Sequence, residues 1–323
     1  MTDPLESFPP AEDAPPGPSV LGAPVAAAAE SRPRPARRID GPTLAAVLVT
    51  ILLWGSAFPS TRYVLPHYAP LDIATLRLVY GALGMAVFAA VVRMPLPRWR
   101  DWPVCLLFGT SAFALSGLAM TYGLRSVSAG AGSFLVGTIP IFSTILAWLF
   151  IRERLRLWGW LGILVSFSGV GLIALGEGRG FRLEPGAGLV VLSAFCQSIF
   201  FVFQKPYHRR YSGLQLTCYA VWGGALVMLP LLVRAPAAIL AAPLSATLAM
   251  IYLGLFPIAV AFATWSYALS RAMAAKVTSA MYVMPVAAVT IAFAWLGEVP
   301  SPLVFAGGAV ALLGVAVVSL YGR

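Results

Sequence analysis

The side chains with the clearest chemical potential stand inside long apolar stretches. The run Trp-Gly-Ser-Ala-Phe contains Trp54, Ser56 and Phe58. Tyrosine and tryptophan rings form apolar walls with one polar atom each, which suits the binding of a small amphipathic molecule. The same rings also gather at membrane–water interfaces, where they anchor helices. The candidate positions are Trp54, Ser56, Phe58, Tyr80, Tyr122, Gln197, Phe200, Trp222, Tyr267 and Tyr282.

One charged side chain, Arg77, stands well inside an apolar run that begins near Asp72. A guanidinium in hydrocarbon has to reach water, pair with an acid or face a water-filled cavity. It can also form two parallel hydrogen bonds with a carboxylate or a phosphate group. Arg77 therefore has two interpretations: it binds an anionic group of a ligand, or it ties the ends of neighbouring helices together.

Two prolines, Pro140 and Pro285, fall in the middle of apolar runs. Proline removes one backbone donor and clashes with the preceding turn, so a helix bends or breaks there. The carbonyl groups that lose their partners can then face a cavity. The two prolines either shape a binding site and its gate or form static kinks that packing requires.

The sequence lacks the patterns on which most enzymes and metal sites depend. It has no GxSxG, HExxH or GxxxxGK[ST] motif, and it has only two histidines. Cys105, Cys196 and Cys218 lie in apolar stretches without CxxC spacing, which is typical of packing residues. We therefore predict no catalytic residue, no metal site and no cofactor.

The composition indicates a chain that lies in lipid. Of its 323 residues, 59% are hydrophobic and only 11% are charged, whereas soluble domains carry about 25% charged residues. Because so few charges cannot cover a surface in water, the sequence predicts an all-α integral membrane protein in the lipid bilayer. The net charge of +10 comes from Lys and Arg between the apolar runs, so it indicates membrane topology and no nucleic-acid partner.

Two stretches of the sequence, 145 residues apart, align without a gap. Tyr122 through Val170 lies on Tyr267 through Val315, and both copies are strongly apolar. A duplicated membrane-buried half is typical of transporters that are built from two repeats around a central site. The matched pairs include Leu124 with Leu269, Ala129 with Ala274, Pro140 with Pro285, Glu153 with Glu298, and Gly169 with Gly314.

Ten apolar runs are long enough to cross a bilayer as helices of about 20 residues. We predict ten transmembrane helices as two inverted five-helix repeats, 42–176 and 185–321, after a disordered cytoplasmic tail at 1–41. The predicted helices are Thr43–Arg62, Asp72–Val92, Trp102–Tyr122, Ser128–Phe150, Leu157–Leu175, Gly186–Phe203, Leu214–Val233, Leu244–Leu269, Ala275–Leu296 and Pro302–Leu320.

Loop charges predict how these helices are oriented. We call the side of the membrane that holds the N-terminal tail side A, and the opposite side side B. Side A receives 16 of the 22 Lys and Arg residues and side B receives five, with Arg77 inside a helix. Such an excess places side A, with both termini, in the cytoplasm. Since each half has an odd number of helices, the second half lies upside down relative to the first.

Matching positions of the two halves also carry carboxylates and small residues. Glu153 and Glu298 each follow a predicted helix, so they either complete helix ends or latch a gate. Small residues in the fifth and tenth helices let backbones approach closely, which is how helices associate in lipid. These helices either pack at the repeat boundary or form a dimer interface; the matched residues are Gly162, Ser166 and Gly169 with Gly307, Ala311 and Gly314.

With these residues in register twice, the sequence resembles the ten-helix EamA-type branch of the drug/metabolite transporter superfamily. The likeness covers about residues 45–320 and rests on Trp54-Gly-Ser-Ala-Phe, Arg77-Leu, Tyr122-Gly-Leu, Pro140, Glu153, Tyr267-Ala-Leu, Pro285 and Glu298. It implies a bacterial inner-membrane carrier with a site between the first, third, fourth, sixth, eighth and ninth helices. The sixth helix departs from the pattern, since Phe195-Cys-Gln-Ser-Ile-Phe stands near where a second Trp motif is common.

Together these features predict a secondary-active or facilitative transporter of small organic metabolites that works by alternating access, as a monomer or homodimer. Export of amino acids, related compounds or drugs is the leading hypothesis. Uptake by the same fold is one alternative, and a structural or receptor-like membrane protein is the other. No Asp or Glu falls in the middle of a predicted helix, which disfavours a buried carboxylate relay for protons.

Reporter fusions test the predicted orientation. A green fluorescent protein fused after Arg323 should fluoresce, because the C-terminus is expected in the cytoplasm. Alkaline phosphatase inserted at Gly178–Gly180, in the loop between the repeats, should be active, because that loop is expected outside. An active phosphatase at the C-terminus would contradict the orientation.

Overall fold

The computed structural model describes residues 40–152, 155–178, 183–272, 277–278 and 280–321. All regular structure in these ranges is helical. Nine helices there are long and apolar enough to cross a membrane, and one further apolar helix is shorter. The predicted all-α membrane fold of ten helices in two inverted repeats is confirmed. The predicted tail before residue 40 and Glu153 lie outside the described residues.

We number the helices α1 to α10 in chain order. Their bounds agree with the predicted ones to within a few residues, except that α6 and α7 extend further. They are α1 Gly41–Val64, α2 Pro70–Val91, α3 Trp99–Gly123, α4 Ala129–Ile151, α5 Leu157–Glu177, α6 Pro185–Arg209, α7 Gly213–Ala241, α8 Leu244–Arg271, α9 Ala280–Leu296 and α10 Pro302–Tyr321.

Helix α7 continues past the predicted end at Val233 because a 3-10 turn, Leu229–Arg234, carries the chain into a further helical piece. Arg234, which directly follows the predicted end of this helix, therefore lies within it. Its Nε is 3.6 Å from Asp72 Oδ1 at the start of α2. This ion pair holds the side B ends of α2 and α7 together.

Short sequence features decide where the helices begin. The Asp40 carboxylate accepts a hydrogen bond from Thr43 N at 3.1 Å and caps α1. Pro70 and Pro185 occupy the first positions of α2 and α6. Proline fits there because its φ is already helical and its missing N–H would have no helical partner.

Helices α5 and α10 pack through backbone contacts along a stripe of small residues. A Cβ atom at Gly169 would collide with Ala311 N and would lie only 2.6 Å from Gly307 O. A Cβ atom at Gly162 would lie 2.8 Å from Gly314 O. Dense dispersion contacts of this kind replace the hydrophobic driving force that is missing between helices in lipid. The structure therefore shows the first of the two predicted roles, packing between the repeats.

One tyrosine at each end of the bundle joins the two repeats by a hydrogen bond, and we call these two contacts the tyrosine clasps. On side A the Tyr211 hydroxyl donates a hydrogen bond to Asp101 Oδ2 at 2.6 Å, near the start of α3. On side B the Tyr68 hydroxyl lies 2.8 Å from Thr247 Oγ1, near the start of α8. In each case the tyrosine precedes the second helix of one repeat and holds the third helix of the other. This exchange at opposite ends is the pattern of inverted repeats.

The side A clasp keeps its donor in alkaline solution. Burial, and after it the hydrogen bond to Asp101, raises the pKa of Tyr211. The phenol therefore keeps its proton at pH values where a free tyrosine begins to ionise.

Two valine substitutions in α5 test the stripe of small residues. Gly169→Val should lower the melting temperature of the purified protein by several degrees, because the new side chain pushes α10 away and overpacking costs about 1–3 kcal/mol. Gly171→Val is the matched control, since a Cβ atom there meets nothing within 4 Å. Thermal unfolding in detergent, followed by tryptophan fluorescence, measures both variants. Equal melting temperatures would show that the stripe does not hold the helices together.

Candidate functional site

Trp54 lies in the middle of α1 between two aromatic side chains of α8. Its ring centroid is 5.1 Å from that of Phe262 and 5.3 Å from that of Trp265. The indole Nε1 donates a hydrogen bond to the Pro257 carbonyl, also in α8, at 2.9 Å. This one side chain therefore joins the first helix of one repeat to the third helix of the other by both packing and hydrogen bonding.

The contact continues across the bundle as a line of rings, which we call the aromatic row. Phe113 of α3 lies 5.9 Å from Phe262 and 6.2 Å from Phe200 of α6, measured between ring centroids. Phe200 is buried and lies 5.5 Å from Phe108. The row joins α1 and α3 of the first repeat to α6 and α8 of the second; its members are Trp265, Trp54, Phe262, Phe113, Phe200 and Phe108.

The aromatic row passes two π-helical segments at matching positions of α3 and α8, Thr110–Leu115 and Leu255–Val260. In a π-helical turn the hydrogen bonds reach one residue further than in an α-helix, and such turns are frequent at functional sites. The Pro257 carbonyl that accepts from Trp54 lies in the second of them. Neither π segment was predicted from the sequence. Pro257, which has no N–H for the helix, was the only sign of one, and the first segment has alanine at the matching position, Ala112.

A group of hydrogen-bonded polar side chains, which we call the polar triad, lies between α3 and α6 beside the aromatic row. Gln197 Nε2 donates to Ser116 Oγ at 3.0 Å. Ser116 Oγ in turn lies 2.9 Å from Ser193 Oγ, and both serines are buried. The amide and the two hydroxyls offer a polar surface next to an apolar aromatic one.

Gln197 takes the place in the second repeat that Trp54 has in the first. Each stands 14 residues before a tyrosine of the two clasps, Tyr211 and Tyr68 respectively. The indole of Trp54 bonds to α8, whereas the amide of Gln197 bonds to α3. The resemblance to the family predicted that the sixth helix departs from the pattern near this position. In the structure, equivalent positions of the two repeats therefore carry different groups, an indole in α1 and an amide in α6.

Arg77 lies on the face of α2 that packs against α8. Gly81 and Gly84, one and two turns further along that face, are the sites of close contact with the π segment of α8. In the part of the chain that the structure describes, the Arg77 guanidinium has no hydrogen bond and no ion pair. Asp72, the acid closest in sequence, pairs with Arg234 instead. An unpaired cation inside a membrane bundle costs free energy, so Arg77 is a strong candidate for binding an anionic group.

Two other predicted residues lie in the same region between α1, α2 and α8. The Ser56 hydroxyl donates to the Leu53 carbonyl at 2.9 Å and contacts the Tyr252 hydroxyl of α8. Tyr80 packs with its Cβ against Gly254, directly before the π segment. Ser56 and Tyr80 therefore belong to the contact between the repeats that also carries Trp54 and Arg77.

Tyr122 and Tyr267 lie at the surface of the bundle, away from the aromatic row. Their exposed fractions are 42% and 38%, and the guanidinium of Arg271 lies 5.1 Å from the Tyr267 ring centroid. Exposed tyrosines near helix ends, one of them stacked with a cation, are typical of an interfacial belt.

Three further predicted residues are also separate from the row. Trp222 Nε1 donates to the Ala82 carbonyl at 3.2 Å and ties α7 to α2. Phe58 is buried in the α1–α4 contact near side B. The Tyr282 hydroxyl lies 3.2 Å from Ser319 Oγ. Their role in binding stays a prediction.

Helices α4 and α9 are interrupted near Pro140 and Pro285. Helix α4 consists of two pieces, and Pro140 stands in the first turn of the second piece, Ile139–Ile151. In α9 the 3-10 turn Ala280–Val283 comes first, and Pro285 follows in the first turn of the α-helical piece. Interrupted helices at matching positions of two repeats are typical of a transport site and its gate.

An ion pair joins the two repeats on side B. Arg62 Nε at the end of α1 lies 2.8 Å from Glu298 Oε1, and Arg62 Nη1 donates to the Leu124 carbonyl at 2.8 Å. The second carboxylate oxygen, Oε2, accepts from Ala129 N at 3.0 Å, at the N-terminus of α4. Gly297, with φ +67°, ends α9 and lets the chain turn toward these donors. We call Arg62, Glu298 and the Ala129 N–H the side B latch.

These groups suit reversible, non-covalent binding. The polar groups near the aromatic row are an amide, hydroxyls and a guanidinium, which orient a ligand by hydrogen bonds and charge. Within the described ranges, no three His, Cys, Asp or Glu side chains come together as a metal site requires.

Comparison with known proteins agrees with this architecture. The EamA-like transporter family matches residues 42–175 and 184–320. A protein of Streptantibioticus cattleyicolor named "Probable terminal-alkyne amino-acid exporter" is 35% identical over 274 residues, which cover 85% of this chain and 92% of that protein. The Bacillus subtilis protein named "Uncharacterized transporter YdfC" is 38% identical over 263 residues, or 81% of this chain and 86% of that protein.

A crystal structure of a protein with 21% sequence identity has a TM-score of 0.58 and covers 88% of this chain and 98% of that chain. At this identity the likeness shows the fold alone. The family match extends over both repeats, and the two relatives match over most of their own length. The chain therefore belongs to the EamA-like transporter family, as its resemblance to that branch predicted, and it is a multi-pass membrane transporter.

Proposed function

We propose that this transporter exports small amphipathic metabolites, with amino acids as the leading class, across the bacterial inner membrane. The relative in Streptantibioticus cattleyicolor, which has a name that includes amino-acid export, matches this chain over most of its length. The excess of Lys and Arg on side A supports an orientation with both termini in the cytoplasm and side B outside. Export then runs from side A to side B.

The observation that carries the proposal is the aromatic row between the repeats, with polar groups on two sides of it. The rings give an apolar wall for a side chain or hydrocarbon body. The polar triad offers an amide and hydroxyls to the polar end of a ligand, and Arg77 offers a cation to a carboxylate. An amino acid combines these apolar, polar and anionic features in one small molecule.

The same contacts support the proposal of alternating access. In the structure the side B latch and the packing of Gly130 against Pro300 hold α4 against the second repeat on side B. Opening toward side B requires these contacts to break while the aromatic row re-forms around the ligand. The interruptions near Pro140 and Pro285 and the two π segments are places where helices bend without losing all their hydrogen bonds.

Substitution of Trp54 tests the position of the site. In proteoliposomes, Trp54→Ala should reduce counterflow of L-propargylglycine, an amino acid that ends in an alkyne, by about tenfold or more. The change removes both the ring contacts and the hydrogen bond to Pro257. Trp158→Ala is the matched control, because Trp158 is 61% exposed at the start of α5.

Full counterflow by the Trp54→Ala variant would place the binding site elsewhere in the bundle. Absence of counterflow for a panel of amino acids with the unmodified protein would reject the substrate class. The direction of transport is measured separately, in cells. Deletion of the gene should raise the intracellular concentration of the substrate if the protein exports it, and should lower that concentration if the protein takes the substrate up.

Arg77→Met separates the two predicted roles of Arg77. If Arg77 binds a substrate carboxylate, the variant should lose at least about tenfold of L-propargylglycine counterflow, since a charge-assisted hydrogen bond is lost. It should also melt a few degrees higher, because an unpaired cation in the bundle is replaced by an apolar side chain of similar length. A lower melting temperature would instead identify Arg77 as a structural tie. Arg100→Met, at an exposed position on side A, is the control.

A further inference from the structure

The side B end of the bundle contains a cleft of about 530 Å³ between the end of α1, the loop after α3 and the turn after α9. The cleft opens to the solution on side B, and it is separate from the aromatic row, which lies in the middle of the helices. The residues that matter for its chemistry are Arg62, Tyr63, His67, Arg125, Leu296 and Glu298.

Positive charge exceeds negative charge in this cleft. Glu298 is its one carboxylate among the described lining residues, and both of its oxygens are occupied, by Arg62 and by the Ala129 N–H. Arg125 is exposed, and in the described part of the chain its guanidinium has no hydrogen bond or ion pair. Its main-chain carbonyl, in contrast, accepts from Arg62 Nη1 at 3.2 Å. Arg62 is therefore paired with Glu298, whereas the guanidinium of Arg125 is available to an anion.

The walls of the cleft are aromatic and apolar. Tyr63 lines the cleft, and its ring stacks on that of Trp295, which lies outside the lining, with ring centroids 4.9 Å apart and an interplanar angle of 28°. The His67 ring stands edge-on to Tyr63 at 6.2 Å. A guanidinium beside a stacked aromatic wall suits a ligand with a carboxylate at one end and an apolar body at the other. That is the chemistry of the substrate class proposed above.

We propose that this cleft is an outer binding site for the carboxylate of the transported amino acid. Arg125 binds the carboxylate, and Arg62 is shared between that carboxylate and Glu298. This inference rests on the proposed function, because it takes its ligand from the same chemical class.

The site gives the side B latch a ligand-dependent strength. When the ligand carboxylate takes one N–H of Arg62, the pair between Arg62 and Glu298 weakens, while Glu298 keeps its hydrogen bond to Ala129 N. The turn after α9 is then held to α1 less tightly, and the latch opens more readily. A substrate in the outer cleft therefore favours the state that is open to side B, as differential binding to two states requires.

Because the cleft is reached from one side only, its effect on transport is sided. In oriented proteoliposomes, Arg125→Gln should raise the half-saturating concentration of L-propargylglycine about tenfold when the amino acid is supplied from side B. The value measured from side A should not change. Arg100→Gln, the same substitution at an exposed arginine on side A, is the control and should leave the side B value unchanged. Equal effects of Arg125→Gln from both sides, or none from either, would overturn the outer site.

A second measurement is independent of transport. His67→Cys places a thiol in the cleft, and the native Cys105, Cys196 and Cys218 are buried, so the unmodified protein gives the background. L-propargylglycine should slow the reaction of this thiol with the anionic 2-sulfonatoethyl methanethiosulfonate by about tenfold. But-3-yn-1-amine, which is the same molecule without its carboxylate, should not. The added change Arg125→Gln should abolish the protection.

Protection by the amine as strong as that by the amino acid would overturn the outer site, as would the absence of protection by either. Carboxylate-dependent protection in a protein that shows no counterflow of any amino acid would support the outer site and reject the proposed transport function. The two proposals therefore fail in distinguishable ways.

Discussion

In hydrocarbon every peptide N–H and C=O needs a partner inside the protein, and the rest of this structure depends on that constraint. It turns the apolar runs into helices, and it requires new polar partners wherever a departure from helical bonding lies in the membrane. The interruptions of α4 and α9 and the π segments of α3 and α8 lie at matching positions of the two repeats. In the second π segment the Pro257 carbonyl accepts a hydrogen bond from the indole of Trp54. The irregular backbone needs polar partners, and side chains of the candidate site supply them. The two therefore lie in the same place.

The inverted repeats supply a symmetric frame, and the chemistry lies where the symmetry fails. The tyrosine clasps and the α5–α10 stripe have counterparts in both halves. Trp54 and Gln197 occupy equivalent positions, but one is an indole and the other an amide. In the proposed site these unequal groups favour one orientation of the ligand, with its apolar body against the rings and its polar end near the amide. A symmetric site would bind such a molecule in two opposite orientations with equal affinity.

The sequence was sufficient for the fold because the signals that decide it are long and repeated. Hydropathy gave ten helices, the alignment of the halves gave the repeats, and small residues gave the α5–α10 packing. The site was harder, because ring contacts depend on rotations of helices that periodicity does not specify. Phe113 and Phe262 complete the aromatic row, yet no sequence feature distinguished them from other apolar residues. The π segments were not predicted for a related reason. Hydrogen bonds that reach one residue further than in an α-helix leave no mark in the composition. Glu298 was predicted to be a helix-end or latch residue, but no sequence feature identified Arg62, at the end of the first predicted helix, as its partner.

Two of the contacts between the repeats, the α5–α10 stripe and the side B latch, differ in strength, and this difference is compatible with the proposed alternating access. Along α5 and α10 the backbones touch, so separation would expose close-packed surface over the length of both helices. The side B latch is a partly exposed ion pair, with side-chain exposures of 28% and 20%, and such pairs contribute only about 1 kcal/mol or less. Two states that differ by a few kcal/mol are both accessible, and a ligand shifts them by its difference in affinity. In the proposed mechanism the α5–α10 contact therefore persists in both states, while the side B latch breaks and re-forms.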